Sequence, residues 1–282
     1  TCFYEVVIDG LKGGHSGAEI DKGRASATQL MGRFLYRAEK ETGLRVAAME
    51  GGTFTNVIPL YCRAVVAVPA DKAALFEALC AADEAMFRNE YLTPDPGLRM
   101  KTAPTGAAEK VFSAERTRAL LNMMLLAPYG VQAMSMDIPG LVQTSLNLGI
   151  LNTEGNEVTM TFSVRSSKNE EKRALIDRLI ACGEPLGAVY SESGQYPAWE
   201  YRQESPLRDL MIRVFEELYG RKPVVEAIHA GLECGIFSSR IPGLDCVSFG
   251  PDMQDIHTTR ERLNVASAER TWKYLLAILA RL

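Results

Sequence analysis

The sequence predicts an α+β protein: an antiparallel sheet covered by helices, then a shorter α/β segment. Three observations carry this. Over residues 1–196, strand and helix patterns come in two successive groups, each built like a split βαβ unit. Two β-rich runs in the second group, 142–151 and 156–167, are joined by Thr153-Glu154-Gly155, a hairpin signal. After residue 196 the pattern becomes strand–helix–strand–helix, which suggests a parallel layer. That segment holds only about two strands, too few to bury both faces of a sheet.

Taken in order, residues 2–9 alternate as a strand and GLKGGHSG is a loop. From Ala18 to about Thr42, Ala27, Leu30, Met31, Phe34, Leu35 and Ala38 recur at helical spacing, stopped by Gly43. LRVAAME is a strand, and after Gly51-Gly52 a second one runs through TFTNVIPLYCRAVVAVPA, where Pro59 argues for an edge or a bulge. Residues 71–91 form an amphipathic helix and GLRMKTA returns as a strand. In the second group, 113–127 and 168–183 are helices and GAVYSES is a strand. Ser205-Pro206 opens a helix that stops at Gly220, with serine as cap and proline in the first turn. VVEAIHA, a turn with a short helix, GLDCVSFG and a helix from about Ala266 to Leu282 follow. The expected division is 1–196 and 197–282. Because the chain opens directly in a strand and its tail lacks strands, it is expected to be a piece of something longer.

Composition narrows the function classes. A net charge of −4 leaves no basic surplus for nucleic acid or an anionic membrane. No apolar run approaches the roughly 20 residues of a membrane span, and no signal peptide is recognisable, so cytoplasm is the expected location. The six cysteines are scattered without a CxxC, which points to neither a disulfide framework nor a cysteine zinc site. HExxH, GxSxG, P-loop and GxGxxG motifs are absent.

The three histidines, His15, His229 and His257, all sit in turn-like stretches. His257 follows the expected strand GLDCVSFG, where α/β sheets bind ligands and where a neutral imidazole suits zinc. His229 precedes a short helix and could pair with Glu233. His15 lies in GGHSG, where glycines let backbone approach another surface and aim the ring outward; such an imidazole can donate to a developing oxyanion. From these residues alone, each histidine could equally be incidental.

GLKGGHSGAEID, GGTFTNVIP (51–59), VQTSLNLG (142–149), IHAGLECGIF (228–237) and the GP….H of 250–257 occur in the order found in the aminoacyl-histidine dipeptidases, and the chain resembles that family throughout. These are di-zinc metallopeptidases of the aminoacylase/carboxypeptidase G2 superfamily, with an α/β catalytic domain interrupted by a lid. The resemblance implies that 1–196 is the lid, or dimerisation-type domain, and 197–282 the last segment of the catalytic domain. It implies His15 as the lid histidine that stabilises the oxyanion, Asn56 and Gly231 as substrate contacts, Arg165 as the clamp on the substrate carboxylate, and His257 as a zinc ligand. Two zinc ions per complete site are implied, with cobalt or manganese as substitutes. The substrate would be Xaa-His and related dipeptides, and a homodimer or larger oligomer is open. The remaining ligands and the general base of the family, which begin with a His-x-Asp, are missing here, so the chain by itself is expected to bind little zinc and to be inactive. Two alternatives stand beside this: a non-catalytic lid and tail acting only in oligomerisation or substrate binding, and a related aminoacylase or tripeptidase specificity.

Overall fold

The computed structural model describes residues 1–227, 232–255 and 259–282. They form two compact units, Thr1–Ser193 and Gly194–Leu282.

In the first unit, β1 (Cys2–Asp9), α1 (Ala27–Thr42), β2 (Arg45–Gly51), β3 (Cys62–Val68), α2 (Ala73–Glu90) and β4 (Arg99–Pro104) follow one another. The four strands pair antiparallel in the order β4-β1-β3-β2, the arrangement of two interleaved split βαβ units. The period of two along β1 turns Tyr4, Val6 and Ile8 inward. The three-four spacing on α1 brings Leu30, Met31, Phe34, Leu35 and Ala38 onto the same core, where Phe34 and Tyr4 both pack on Phe76.

Helix α1 begins at Ala27, not at Ala18. Asp21, Lys22 and Gly23 close a short 3-10 turn, with Gly23 at φ +65°, and the chain re-enters helix only where the Ala27 amide donates to the Pro59 carbonyl at 2.9 Å. Residues 53–61 likewise lie outside β3; they form a loop laid against 13–16 through the Ile58 amide to Gly14 carbonyl and Ser16 amide to Asn56 carbonyl bonds, each 2.9 Å.

The second group supplies α3 (Ala114–Leu126), β5 (Gly130–Met134), β6 (Val142–Glu154), β7 (Glu157–Ser166) and α4 (Asn169–Gly183). It extends the same sheet: β6 meets β2 at Gly51↔Leu151, β5 at Gly130↔Leu146, and β7 from Thr144↔Ser166 to Glu154↔Glu157. The hairpin turn falls on Gly155-Asn156, with Gly155 at φ +59°. Gly149 is passed over in the β6–β7 register, between Leu148↔Phe162 and Ile150↔Thr161, and is a bulge. The strand expected over GAVYSES is not formed: Val189 is 99% exposed, and without a neighbouring strand its backbone has no ladder to join.

The second unit holds α5 (Pro206–Tyr219), α6 (Glu233–Arg240), a two-residue hairpin β8 (Met253–Gln254) and β9 (Arg262–Leu263), and α7 (Val265–Leu279). Ser205 caps α5 by accepting from the Arg208 amide, and its hydroxyl donates to Asp245 at 2.6 Å. Met211, Val214, Tyr274 and Ile278 form the contact of α5 with α7. Neither 224–227 nor GLDCVSFG is a strand among the described residues; β-branched Val224 stays 78% exposed. A strand needs a partner for its amides and carbonyls, and none of the described residues of this unit provides one.

Candidate functional site

The GGHSG loop gains its shape from a reciprocal pair of hydrogen bonds. His15 Nδ1 accepts from the backbone amides of Gly17 and Ala18 at 3.2 and 3.1 Å, while the His15 amide donates to Glu19 Oε2 at 2.9 Å. The Glu19 amide closes the turn on the His15 carbonyl at 2.9 Å. The imidazole thus caps a single helical turn from above while Glu19 reaches back to its start, as in a capping box. Arg24 locks the arrangement, donating to Glu19 Oε1 at 2.7 Å and to the Gly13 carbonyl. Glu19 is held below the usual carboxylate range, chiefly by the His15 amide and then by Arg24.

This geometry sets the chemistry of the ring. A nitrogen that accepts two amides carries no proton, so neutral His15 bears its hydrogen on Nε2, away from the loop. Burial, then the Arg165 charge, lower its pKa from the ordinary 6.5, and Glu19 opposes this. His15 is therefore a neutral, outward-facing hydrogen-bond donor near neutral pH.

Arg165, on β7 opposite Ser145, shares the space over Gly17 with that ring. A Cβ on Gly17 would lie 2.9 Å from His15 Cε1 and 3.2 Å from Arg165 Nη1, so only glycine leaves both side chains where they are. The guanidinium is half-buried, its buried Nε has no hydrogen-bond partner among the described residues, and burial lowers its pKa. No carboxylate among the described residues forms a salt bridge with it. A cationic fork in such a position is suited to a planar anion from outside.

Asn56 is exposed on the adjoining loop. Its flanking carbonyls are gripped by a residue that sequence reasoning did not single out: buried Asn147 on β6 donates from Nδ2 to the Thr55 and Val57 carbonyls at 3.0 and 2.8 Å. The bulge glycine, Gly149, lets that loop come down, since a Cβ there would lie 2.6 Å from Thr55 Cα. Asn147 and Gly149 both belong to VQTSLNLG, yet nothing in that stretch reveals that its partners lie 90 residues or more earlier. Glu19 was equally unmarked, although it follows His15 at the spacing of a helical turn.

His229, Gly231 and His257 lie outside the described residues. Among the described residues no three of His, Cys, Asp or Glu gather to hold a metal ion. His15, Asn56 and Arg165 are therefore the predicted site residues that the first unit brings onto one surface.

The lowered His15 pKa has a consequence for stability. The unfolded chain takes up the proton first, so the contribution of His15 is full above pH 6.5 and falls as pH drops through 6.5 toward the folded value. Urea unfolding midpoints should fall between about pH 8 and about pH 5.5, with a shallower fall in His15→Gln. Equal slopes in the two proteins would refute this; the other two histidines are common to both.

The first unit is thus a mostly antiparallel sheet covered by helices, with His15, Asn56 and Arg165 on its loops and on β7. Residues 8–94 match the family described as the M20 peptidase dimerisation domain. Over 276 residues, 98% of the chain, the sequence is 31% identical to the cytosol non-specific dipeptidase of Escherichia coli (strain K12). Its fold superposes with a TM-score of 0.94 on the crystal structure of aminoacylhistidine dipeptidase from Vibrio alginolyticus, at 31% identity over 100% of the chain. The chain spans 57% of the length of each of these proteins. The expected resemblance to the aminoacyl-histidine dipeptidases is thus borne out along nearly the whole chain, as is the α+β fold class, and these relatives are peptidases.

Proposed function

We propose that the chain forms the lid and C-terminal part of a metallodipeptidase that hydrolyses Xaa-His and related dipeptides. The observation that supports this most directly is the meeting of a neutral Nε2–H donor and a guanidinium with no salt-bridge partner among the described residues over Gly17. A dipeptide offers matching groups: a scissile carbonyl oxygen that becomes an oxyanion, and one residue away a free carboxylate. In this reading Arg165 takes the carboxylate in a bidentate grip, His15 donates through Nε2 to the carbonyl oxygen as its charge develops, and Asn56 holds the substrate backbone. Gly231 is the proposed further backbone contact and His257 the proposed metal ligand of this chain.

Zinc, two ions per complete site, is the proposed metal, with cobalt or manganese as substitutes; when bound it supplies the activated water. The described residues do not make a site for it, so the hydrolytic step is not assigned to them. A homodimer through the dimerisation domain and a cytoplasmic location complete the proposal; no helix among the described residues is long and apolar enough to cross a membrane. A non-catalytic role in oligomerisation is the second reading, favoured by the dimerisation domain and the lack of a metal-ligating cluster among the described residues.

Zinc stoichiometry and dipeptide hydrolysis test this together. The 282-residue chain should retain well under one zinc after dialysis, and the parent polypeptide should cleave dipeptides and lose that activity to a chelator. Two tightly held zincs in the chain alone, or no dipeptide cleavage by the zinc-loaded parent, would overturn it.

A further inference from the structure

The loop that presents His15 leaves the sheet after Asp9 and runs into α1 at Ala27, and both its ends meet the same side chain. Asp95, in the turn between α2 and β4, is 1% exposed; its Oδ1 accepts from the Lys12 amide at 2.6 Å and its Oδ2 from the Ala25 amide at 2.7 Å. Ala25 is itself fully buried, so without Asp95 its amide would have neither water nor protein to bond. The turn is held in turn by the Asp95 amide on the Tyr91 carbonyl at 2.9 Å and the Leu98 amide on the Asp95 carbonyl at 3.1 Å. The two segments also touch through backbone alone: Gly10, at φ +78°, lies so close that a Cβ on it would sit 2.0 Å from the Gly97 carbonyl oxygen. Glu19, Arg24 and the backbone bonds to Asn56 and Ile58 brace the tip of the loop, while the amides at its two feet, Lys12 and Ala25, both meet one buried carboxylate 83 and 70 residues distant.

We infer that Asp95 is a positioning residue: by clasping both feet of the 12–25 loop it fixes where His15 stands and which ring nitrogen faces outward. A carboxylate accepts on both oxygens, which is what two converging amides require; an asparagine accepts on one and turns an N–H toward the other amide. Asp95→Asn is nearly isosteric and should open one foot of the loop. The Gly17 and Ala18 amides would then no longer hold Nδ1. The consequence for catalysis rests on the substrate-facing role proposed for His15; the placement of the ring does not.

The test uses the whole chain with ¹⁵N-labelled histidine, whose three residues are told apart by the His15→Asn variant. Long-range proton–nitrogen spectra distinguish a protonated from an unprotonated ring nitrogen. Unmutated His15 should show an unprotonated Nδ1 and titrate below 6.5. In Asp95→Asn its signals should move toward those of a free imidazole and its titration should rise toward 6.5. Val66→Ala, a cavity at a fully buried position in the middle of β3, should lower thermal stability without moving them. Unchanged His15 signals in Asp95→Asn, or equal changes in both variants, would overturn the inference. If Asp95→Asn does not fold, hydrogen exchange of the unmutated chain decides. The Lys12 and Ala25 amides should be protected about a hundredfold or more and open together, and exchange at unprotected rates would overturn it. An active His15→Asn enzyme would refute the oxyanion role while leaving these spectra as they are.

Discussion

In the dipeptidase proposed above, His15→Ala is expected to lower kcat about 10²–10³-fold with little change in KM, the loss measured when one oxyanion donor is removed. The reasoning starts from the tautomer. Because the Gly17 and Ala18 amides occupy Nδ1, the only proton that neutral His15 can offer is on Nε2, and a donor aimed at a carbonyl oxygen matters most once that oxygen carries charge. Alanine also removes a cap, so the loop loses stability, by about 0.5–2 kcal/mol on the scale of helix caps. His15→Asn separates the two effects. Its Oδ1 can take the place of Nδ1 under the same amides, but no atom replaces Nε2–H. The loop should then keep its stability while kcat falls as far as in the alanine variant. Steady-state kinetics and thermal melting of both variants check this, and full activity in His15→Asn would remove His15 from the chemistry.

Arg165→Met should act in opposite directions on binding and on folding. A charge-assisted, two-pronged contact to a carboxylate contributes about 1.5–3 kcal/mol, so KM for dipeptides should rise roughly 10–100-fold. Lysine should not rescue it, since a point charge lacks the fork. Dipeptide amides, which have no carboxylate, should be turned over equally poorly by both enzymes. Folding responds differently because the unbound protein carries this guanidinium half-buried, with its Nε unsatisfied among the described residues. Replacing it by an apolar chain of similar length removes that desolvation cost. The gain should be on the order of 1 kcal/mol, since the exposed half still sees water. For a unit of this size that is a rise of about 2–4 °C in melting temperature. An unchanged KM would remove Arg165 from substrate recognition, and a lower melting temperature would mean that the folded chain stabilises the charge after all.

The two variants depend on different parts of the molecule. His15 is shaped by contacts within five residues of itself and braced from Asp95 below. Arg165 takes its position from the β6–β7 pairing, which places it across from Ser145, and from Gly17, which leaves room for it beside the imidazole. Substitution of Gly17 would disturb both at once.

How much of this the sequence determined follows from the range of the forces involved. The stripes of α1 and α2, the alternation of β1, the hairpin before β7 and the Ser205-Pro206 start of α5 are written within a few neighbouring residues, because helical and strand periods and caps are local. The ordered motifs, read against a known family, pointed to His15, Asn56 and Arg165 without the fold. Tertiary structure alone decided the rest. The expected start of α1 at Ala18 gave way because the Pro59 carbonyl, from the neighbouring loop, sets the first helical amide at Ala27. The expected strands GAVYSES and GLDCVSFG did not form because a strand requires a partner for its backbone, and pairing is not a property of the stretch itself. Asn147 and Asp95 looked like ordinary polar residues of a strand and a turn. They became the supports of the site only when folding carried the 55–57 carbonyls to one and the Lys12 and Ala25 amides to the other, bringing together groups 70 to 92 residues apart in sequence.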